Sequence, residues 1–168
     1  MNFNNFTIKS QEAVQKAVEI TSANGQQAIE PVHLLKGVVD VGESLVNYIF
    51  QKLGVNVNLL KTAVDREIAS LPKVSGGEPY LSREANAVLQ KASDYSSKMG
   101  DQFVALESIL MALLQTKSSA SSFMKDAGIN EKELGAAIDE LRKGQSVKDA
   151  SAEDTYNALS KYAINLNE

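Results

Sequence analysis

The sequence contains one helical unit twice, and this repeat constrains the fold more than any other feature. Advancing the first half of the chain by 75 positions aligns similar residues: Thr7 with Ser82, Ala13 with Val88, Ala17 with Ala92, Gly25 with Gly100 and Leu34 with Ile109. Later the offset becomes 74, which aligns Gly54 with Gly128, Leu60 with Leu134 and Val64 with Ile138. The duplication predicts two similar substructures packed as one module.

Each repeat is predicted to form four helices. Apolar residues recur at helical spacing in both halves, and no alternating strand pattern competes. Residues suited to capping, starting or ending helices stand at matching positions: Thr7, Ser82, Gly25, Gly100, Pro31, Gly54, Gly128, Asn56, Asn130 and, in a capping box with Asn130, Glu133. We predict an all-α fold of eight helices in two pseudo-symmetric four-helix repeats, about 1–71 and 80–143, joined by a loop at 72–79.

Composition excludes several chemistries. The 168 residues include no Cys and one His, too few soft ligands for a zinc finger, a thiol nucleophile or an iron–sulfur cluster. A net charge of -4 and no basic cluster argue against nucleic-acid binding. Neither a signal peptide nor a membrane-spanning run is present, so we expect a cytoplasmic protein with no membrane partner.

Two possible catalytic motifs are better explained by structure. Residues 37–44 have the spacing of a phosphate-binding loop, but Glu43 replaces the required Lys, and the segment should be a turn between helices. His33 lies early in a helix without a serine elbow, and we expect it to be a half-buried packing residue. Asp101 and Glu107 flank a helix junction, where helix-end electrostatics accounts for them from the residues alone. Binding, in a groove between the lobes, is the function class that remains.

The last part of the chain differs from the repeats. Residues 144–153 are polar and predict a linker, and an apolar helical stripe resumes in 154–168. Periodicity leaves two interpretations open, a terminal helix or the start of a further domain.

The residues Phe6-Thr7, 29–35 and 100–103, together with the doubled organisation, resemble the Clp N-terminal (repeat) domain of the Clp AAA+ chaperones. The resemblance covers residues 1 to about 145, and the tail is similar to the segment leading into the first ATPase domain of the bacterial disaggregase branch. It implies domains at 1–143, a linker at 144–153 and a truncated ATPase domain at 154–168.

The resemblance also implies a function. It suggests a non-catalytic domain that binds unfolded or aggregated polypeptides and passes them to an ATP-driven pore. This fragment would hold no cofactor and be monomeric, whereas the full-length protein would be a homohexamer that uses ATP and magnesium and works with the DnaK/DnaJ/GrpE chaperones. The alternative is an adaptor-docking domain of a protease-linked unfoldase, as in the ClpA and ClpC branches.

Five substrate-binding residues follow from the resemblance: Thr7, Asp101, Glu107, Leu89 and Tyr95. Two other groove positions depart from the family pattern, because Lys91 and Ser108 are polar. The glutamate pair that binds phosphoarginine in ClpC-type domains is incomplete, with Val32 at the position matching Glu107, which disfavours that ligand. We expect Asp101→Ala and Glu107→Ala to weaken substrate handling with little effect on melting temperature.

Overall fold

A computed structural model describes residues 2–143, 146–148 and 150–151 of the chain. Within these residues it has eight helices, which confirms the predicted all-α class and the two four-helix repeats. The helices are α1 (Ile8–Ala23), α2 (Pro31–Val41), α3 (Glu43–Leu53), α4 (Val57–Ser70), α5 (Arg83–Lys98), α6 (Leu106–Gln115), α7 (Ser119–Asp126) and α8 (Glu131–Arg142). The predicted start of a further domain, at 154–168, lies outside the described residues.

The predicted helix caps are present at matching positions. The hydroxyl oxygens of Thr7 and Ser82 accept hydrogen bonds from backbone N–H groups three residues ahead, at 3.1 and 3.0 Å. Gly25 and Gly100 follow the first helix of each repeat with φ of 67° and 75°, values that favour glycine. Asn130 accepts from the N–H of Glu133 at 2.8 Å, but the full capping box of this repeat forms one helix earlier, at Ser118–Ser121.

Two short strands were not predicted. Strand β1 (Ala28–Ile29) pairs in parallel with β2 (Tyr80–Leu81), and Phe6 forms an isolated parallel bridge with Val104. In both cases the segment before the first helix of one repeat pairs with the first interhelical loop of the other. The repeats therefore exchange backbone hydrogen bonds, and a two-residue strand is too short to leave a period in the sequence.

One hydrophobic core runs through both repeats. Helix α3 packs on α8 and α4 packs on α7, so helices of repeat one contact those of repeat two directly. The largest fully buried side chains come from both halves and include Phe6, Leu34, Phe50, Leu60, Leu89, Ile109 and Leu113. Because this core is shared, the chain forms one module rather than two independent domains.

The crossing of α1 and α2 depends on a glycine. A Cβ atom on Gly37 would lie 2.4 Å from the backbone oxygen of Ala13, so only glycine allows α1 and α2 to approach this closely. The same stretch contains the phosphate-loop spacing, and the structure places it across the end of α2, Gly42 and the start of α3. The predicted interhelical turn is confirmed.

Candidate functional site

A buried ionic cluster occupies one corner of repeat two. The guanidinium of Arg142, at the end of α8, donates from Nη1 to Asp101 Oδ2 at 2.7 Å and from Nε to Glu107 Oε2 at 2.9 Å. The side chain of Arg142 is 2% exposed, and those of Asp101 and Glu107 are 0% exposed. We call these three residues the ionic corner; it joins the end of α8 to both sides of the α5–α6 junction.

The charges of the ionic corner depend on one another. Burial disfavours the charged form of Arg142, but the neighbouring carboxylates of Glu107 and Asp101 outweigh this and raise the pKa of Arg142 above its ordinary value. Among the described atoms, Glu107 Oε1 and Arg142 Nη2 are buried without a hydrogen-bond partner. Removing one member would therefore leave charge with few compensating contacts.

The equivalent corner of repeat one is uncharged. With the repeat offsets, Gln26 corresponds to Asp101, Val32 to Glu107, His33 to Ser108 and Ile68 to Arg142. Gln26 Nε2 donates to the backbone oxygen of Ile68 at 2.5 Å, which ties the end of α4 to the α1–α2 junction. The last helix of each repeat is thus joined to the first interhelical junction, by a neutral hydrogen bond in repeat one and by ion pairs in repeat two.

His33 is part of this neutral corner. Its Nδ1 accepts from the backbone N–H of Glu30 at 2.9 Å, which fixes the tautomer with the proton on Nε2, and Nε2 donates to Gln26 Oε1 at 2.8 Å. The side chain is 0% exposed, more than the half-burial expected, and burial lowers its pKa from 6.5 to about 4. With both nitrogens engaged, His33 serves packing, as the sequence indicated.

The chain after α8 returns to the ionic corner. The backbone N–H of Val147 donates to Asp101 Oδ1 at 2.8 Å, and the N–H of Gln102 donates to the Val147 oxygen at 2.7 Å. Further on, the N–H of Ile8 donates to the Ala150 oxygen at 2.7 Å. We call residues 146–148 and 150 the exit segment; it crosses from the ionic corner to the start of α1.

Three of the five predicted site residues lie at this end of the module. The backbone N–H of Thr7 donates to the oxygen of Val104 at 3.0 Å. Val104 lies between Asp101 and Glu107 in the sequence, so this bond brings Thr7 to the α5–α6 junction. All three side chains are 0% exposed, so in this conformation they lie beneath the surface. Arg142 was not predicted from the sequence. The alignment of the two repeats contained a signal for it, because Arg142 stands where repeat one has the apolar Ile68.

The remaining two predicted site residues differ in exposure. Leu89 is 0% exposed and belongs to the core, as does Ser108. Tyr95 is half-buried, and burial, followed by the nearby charge of Asp139, raises its pKa. Tyr95 borders a shallow surface groove of about 370 Å³ with mostly polar walls, lined by Lys91, Asp94, Tyr95, Lys98, Gln115 and Glu131. This groove lies within repeat two, not between the lobes, and Leu89 does not line it.

Repeat one carries a groove with an apolar floor. Two adjoining cavities of about 190 and 340 Å³ share Val39, Asp40 and Lys61, and we call them together the repeat-one groove. Its floor consists of Leu35, Val39, Phe50, Val57, Leu60 and Val64. Lys36 and Asp65 form an ion pair of 2.6 Å at its rim. Lys16 and Asp40 correspond to Lys91 and Gln115 of the repeat-two groove, so that groove is related by the internal repeat to the cavity of about 340 Å³ and not to the apolar floor.

The described residues, 2–143, 146–148 and 150–151, offer neither a metal-binding cluster nor a membrane-spanning helix. Within these ranges, no three His, Asp or Glu side chains stand close enough together to hold a metal ion. Over the same part of the chain, no helix has the length and apolar character needed to cross a bilayer.

Comparison with known proteins identifies the family. The model of the Clp repeat (R) N-terminal domain matches residues 5–127. The chain belongs to this family. Among curated Clp relatives, "Chaperone protein ClpB" of Bacteroides thetaiotaomicron is 65% identical over 168 residues, covering 100% of this chain and 20% of the relative. The ClpB of Porphyromonas gingivalis is 58% identical over 166 residues, covering 99% and 19%. The chain thus spans about one fifth of the length of these relatives.

Solved structures of Clp N-terminal domains share the fold. The Hsp104 N-terminal domain from Candida albicans has a TM-score of 0.78 at 22% identity, covering 89% of this chain and 99% of that domain. The N-terminal domain of the ClpV1 ATPase from E. coli has a TM-score of 0.70 at 16% identity, covering 86% and 89%. At these identities the likeness concerns the fold alone. The family and the similarity to ClpB chaperones agree with the resemblance in the sequence.

Proposed function

We propose that this chain is the substrate-binding N-terminal domain of a longer Clp chaperone of the disaggregase type. It binds unfolded or aggregated polypeptides and helps to deliver them to a threading pore formed by the rest of the protein. The observation that carries this proposal is the 65% identity, over the whole chain, to a relative named as a ClpB chaperone. The threading activity, ATP and magnesium, the homohexamer, the DnaK/DnaJ/GrpE partners and the cytoplasmic location belong to the longer protein in this proposal.

The surface supports contact with polypeptides of varied sequence. The repeat-one groove combines an apolar floor with Lys36, Lys61, Asp40 and Asp65 around its edge. A cavity of about 190 Å³ suits a single large apolar side chain, and a rim with both charge signs tolerates either charge next to it. Tyr95 offers an amphipathic ring in the groove of repeat two.

The other four predicted site residues would act differently. The side chains of Thr7, Asp101, Glu107 and Leu89 are 0% exposed and have no free face for a bound chain. In this proposal Leu89 shapes the core beneath the surface, while Thr7, Asp101 and Glu107 organise the end of the module where the exit segment lies.

The alternatives have less support. The curated relatives with high identity are named ClpB, which favours direct polypeptide binding over adaptor docking in a ClpA- or ClpC-like unfoldase. A phosphoarginine site would need Glu107 to accept a guanidinium from a ligand, but Glu107 Oε2 already accepts one from Arg142. A hydrolase based on His33 would need an accessible imidazole, and that ring is fully buried.

A binding titration tests the proposal. A fluorescently labelled protein that is permanently unfolded, such as reduced and carboxymethylated lactalbumin, is titrated with the chain, and its anisotropy is measured. We expect weak binding, with a Kd of about 10–100 μM, as suits a surface that releases its cargo. No binding at about 1 mM chain would refute the proposal.

Paired variants locate the binding surface. Val39→Glu places a charge in the repeat-one groove and should weaken binding about tenfold. Val74→Glu, at a 51% exposed valine in the loop between the repeats, is the matched control and should leave binding unchanged. Tyr95→Ala tests the groove of repeat two. Equal effects of Val39→Glu and Val74→Glu would exclude the repeat-one groove.

A further inference from the structure

The exit segment is hydrogen-bonded to the module and buries one of its side chains. Val147 is 0% exposed and packs with Ala105, Phe103 and Leu141. Its N–H and C=O groups are both bonded, the first to Asp101 Oδ1 and the second to the N–H of Gln102. The hydroxyl of Ser146 also donates to the Met99 oxygen at 3.4 Å.

Asp101 connects this segment to the ionic corner. One carboxylate oxygen pairs with Arg142 and the other accepts the Val147 N–H, so the two contacts share one rigid group. Arg142 is in turn oriented by Glu107, which lies at the start of α6. A planar guanidinium with two carboxylate partners fixes the direction in which Asp101 presents its second oxygen.

Repeat one shows that helix packing alone does not need these charges. There the Gln26 side chain bonds directly to the backbone of the last turn of α4, and Ile68 stands in place of the arginine. The chain that follows α4 also bonds to the α1–α2 junction, since the N–H of Val74 donates to the Gly25 backbone oxygen at 2.9 Å, but Val74 is 51% exposed whereas Val147 is buried. The ionic version of the corner thus coincides with the repeat in which the chain after the last helix buries a side chain against the module.

We propose that Asp101, Glu107 and Arg142 form an anchor that fixes the chain after α8 to the module. Asp101 and Glu107 then influence polypeptide handling through the position of the following chain, not by touching the polypeptide; this second step rests on the proposed function. In a longer protein, the anchor fixes the point at which the following chain leaves the module and so restricts the positions that the domain can take.

Amide hydrogen exchange of the whole chain, followed residue by residue by NMR, tests the anchor. The variant D101Q/E107V/S108H/R142I gives repeat two the uncharged corner of repeat one, so the helices keep a packing solution that the fold already uses. We expect the Val147 amide to lose protection about tenfold or more, as for a lost hydrogen bond to a charged acceptor, with Ile109 in the core of α6 changed less than about twofold.

A second variant and a control complete the exchange test. Asp101→Asn replaces one of the two acceptor oxygens by an NH2 donor, so the side chain can no longer accept from both Arg142 and Val147. Because the buried guanidinium is the stronger donor, the Val147 amide should lose its acceptor and its protection, which keeps the test decisive if the fourfold variant does not fold. Glu140→Gln, on the same helix as Arg142, breaks an exposed ion pair with Lys52 of α3 and should leave Val147 protected. Retained protection of Val147 in both corner variants, or an unprotected Val147 in the unaltered chain, would overturn the anchor.

Binding separates the second step from the proposed function. If Asp101 acts through the anchor, the fourfold variant should bind the labelled unfolded protein within about twofold of the unaltered chain. Lost binding while the Val147 amide remains protected would overturn the indirect role and favour direct contact. An unaltered chain that does not bind at all would remove the proposed function, and the exchange result would still decide the anchor.

Discussion

Replacing Arg142 with methionine should destabilise the module strongly. Methionine keeps the length and part of the volume of the side chain but removes both ion pairs, leaving the carboxylates of Asp101 and Glu107 at 0% exposure without a cation. Breaking a buried pair on one side costs about 3–5 kcal/mol. For a module of this size, about 2–4 °C is lost per kcal/mol, so we expect the melting temperature to fall by about 6–20 °C.

Calorimetry and urea unfolding at neutral pH measure this effect. Glu140→Gln is the matched control on the same helix, since the Lys52–Glu140 pair joins side chains that are 33% and 58% exposed. Such a surface pair contributes about 0–1 kcal/mol, so the control should change the free energy of unfolding little. The reasoning would be refuted if Arg142→Met cost no more than Glu140→Gln. Burial also reverses the sequence-based expectation that Asp101→Ala and Glu107→Ala leave the melting temperature nearly unchanged.

Two further predictions concern His33 and Gly37, both in repeat one. His33 is the sole histidine, so a single NMR titration should give its midpoint, which we expect near pH 4. Because the folded pKa lies below 6.5, the contribution of the neutral imidazole to folding stability, about 3 kcal/mol, is complete above pH 6.5 and is lost as the pH falls toward 4. A midpoint near 6.5 would contradict the buried neutral imidazole. Gly37→Ala should cost about 1–3 kcal/mol in urea unfolding, because its Cβ would meet the Ala13 backbone oxygen at 2.4 Å. Gly135→Ala is its control, with the nearest atom 3.7 Å away on a flexible Met111 side chain, and should stabilise α8 by up to about 1 kcal/mol; equal losses would contradict the close crossing.

Local patterns predicted most of the fold because their causes are local. Thr7 and Ser82 cap helices through hydroxyls that reach backbone donors three residues away, and such contacts depend on neighbouring residues alone. The internal repeat predicted two equivalent sets of four helices. The parallel pairing of residues 28–29 with 80–81 was not predictable in this way, because it joins segments far apart in sequence and each is only two residues long.

The candidate site was predictable only in part. Thr7, Asp101 and Glu107 were recognised from the resemblance, and the structure gathers them at one end of the module, but their burial could not be seen from residue type. Leu89 shows the same limit, since an apolar residue on a helix suits a groove wall as well as a core. Arg142 was missed because its partners lie 35 and 41 positions away.

The sequence by itself determined the helices, their caps, the duplication and the absence of cysteine chemistry, all of which depend on residue identity and short spacing. Tertiary structure decided which charges are buried together, which groove has an apolar floor and where the chain after α8 lies. The reason is physical. The energy of a charge or an apolar surface depends on the solvent that surrounding groups exclude, and folding brings those groups together from distant parts of the chain.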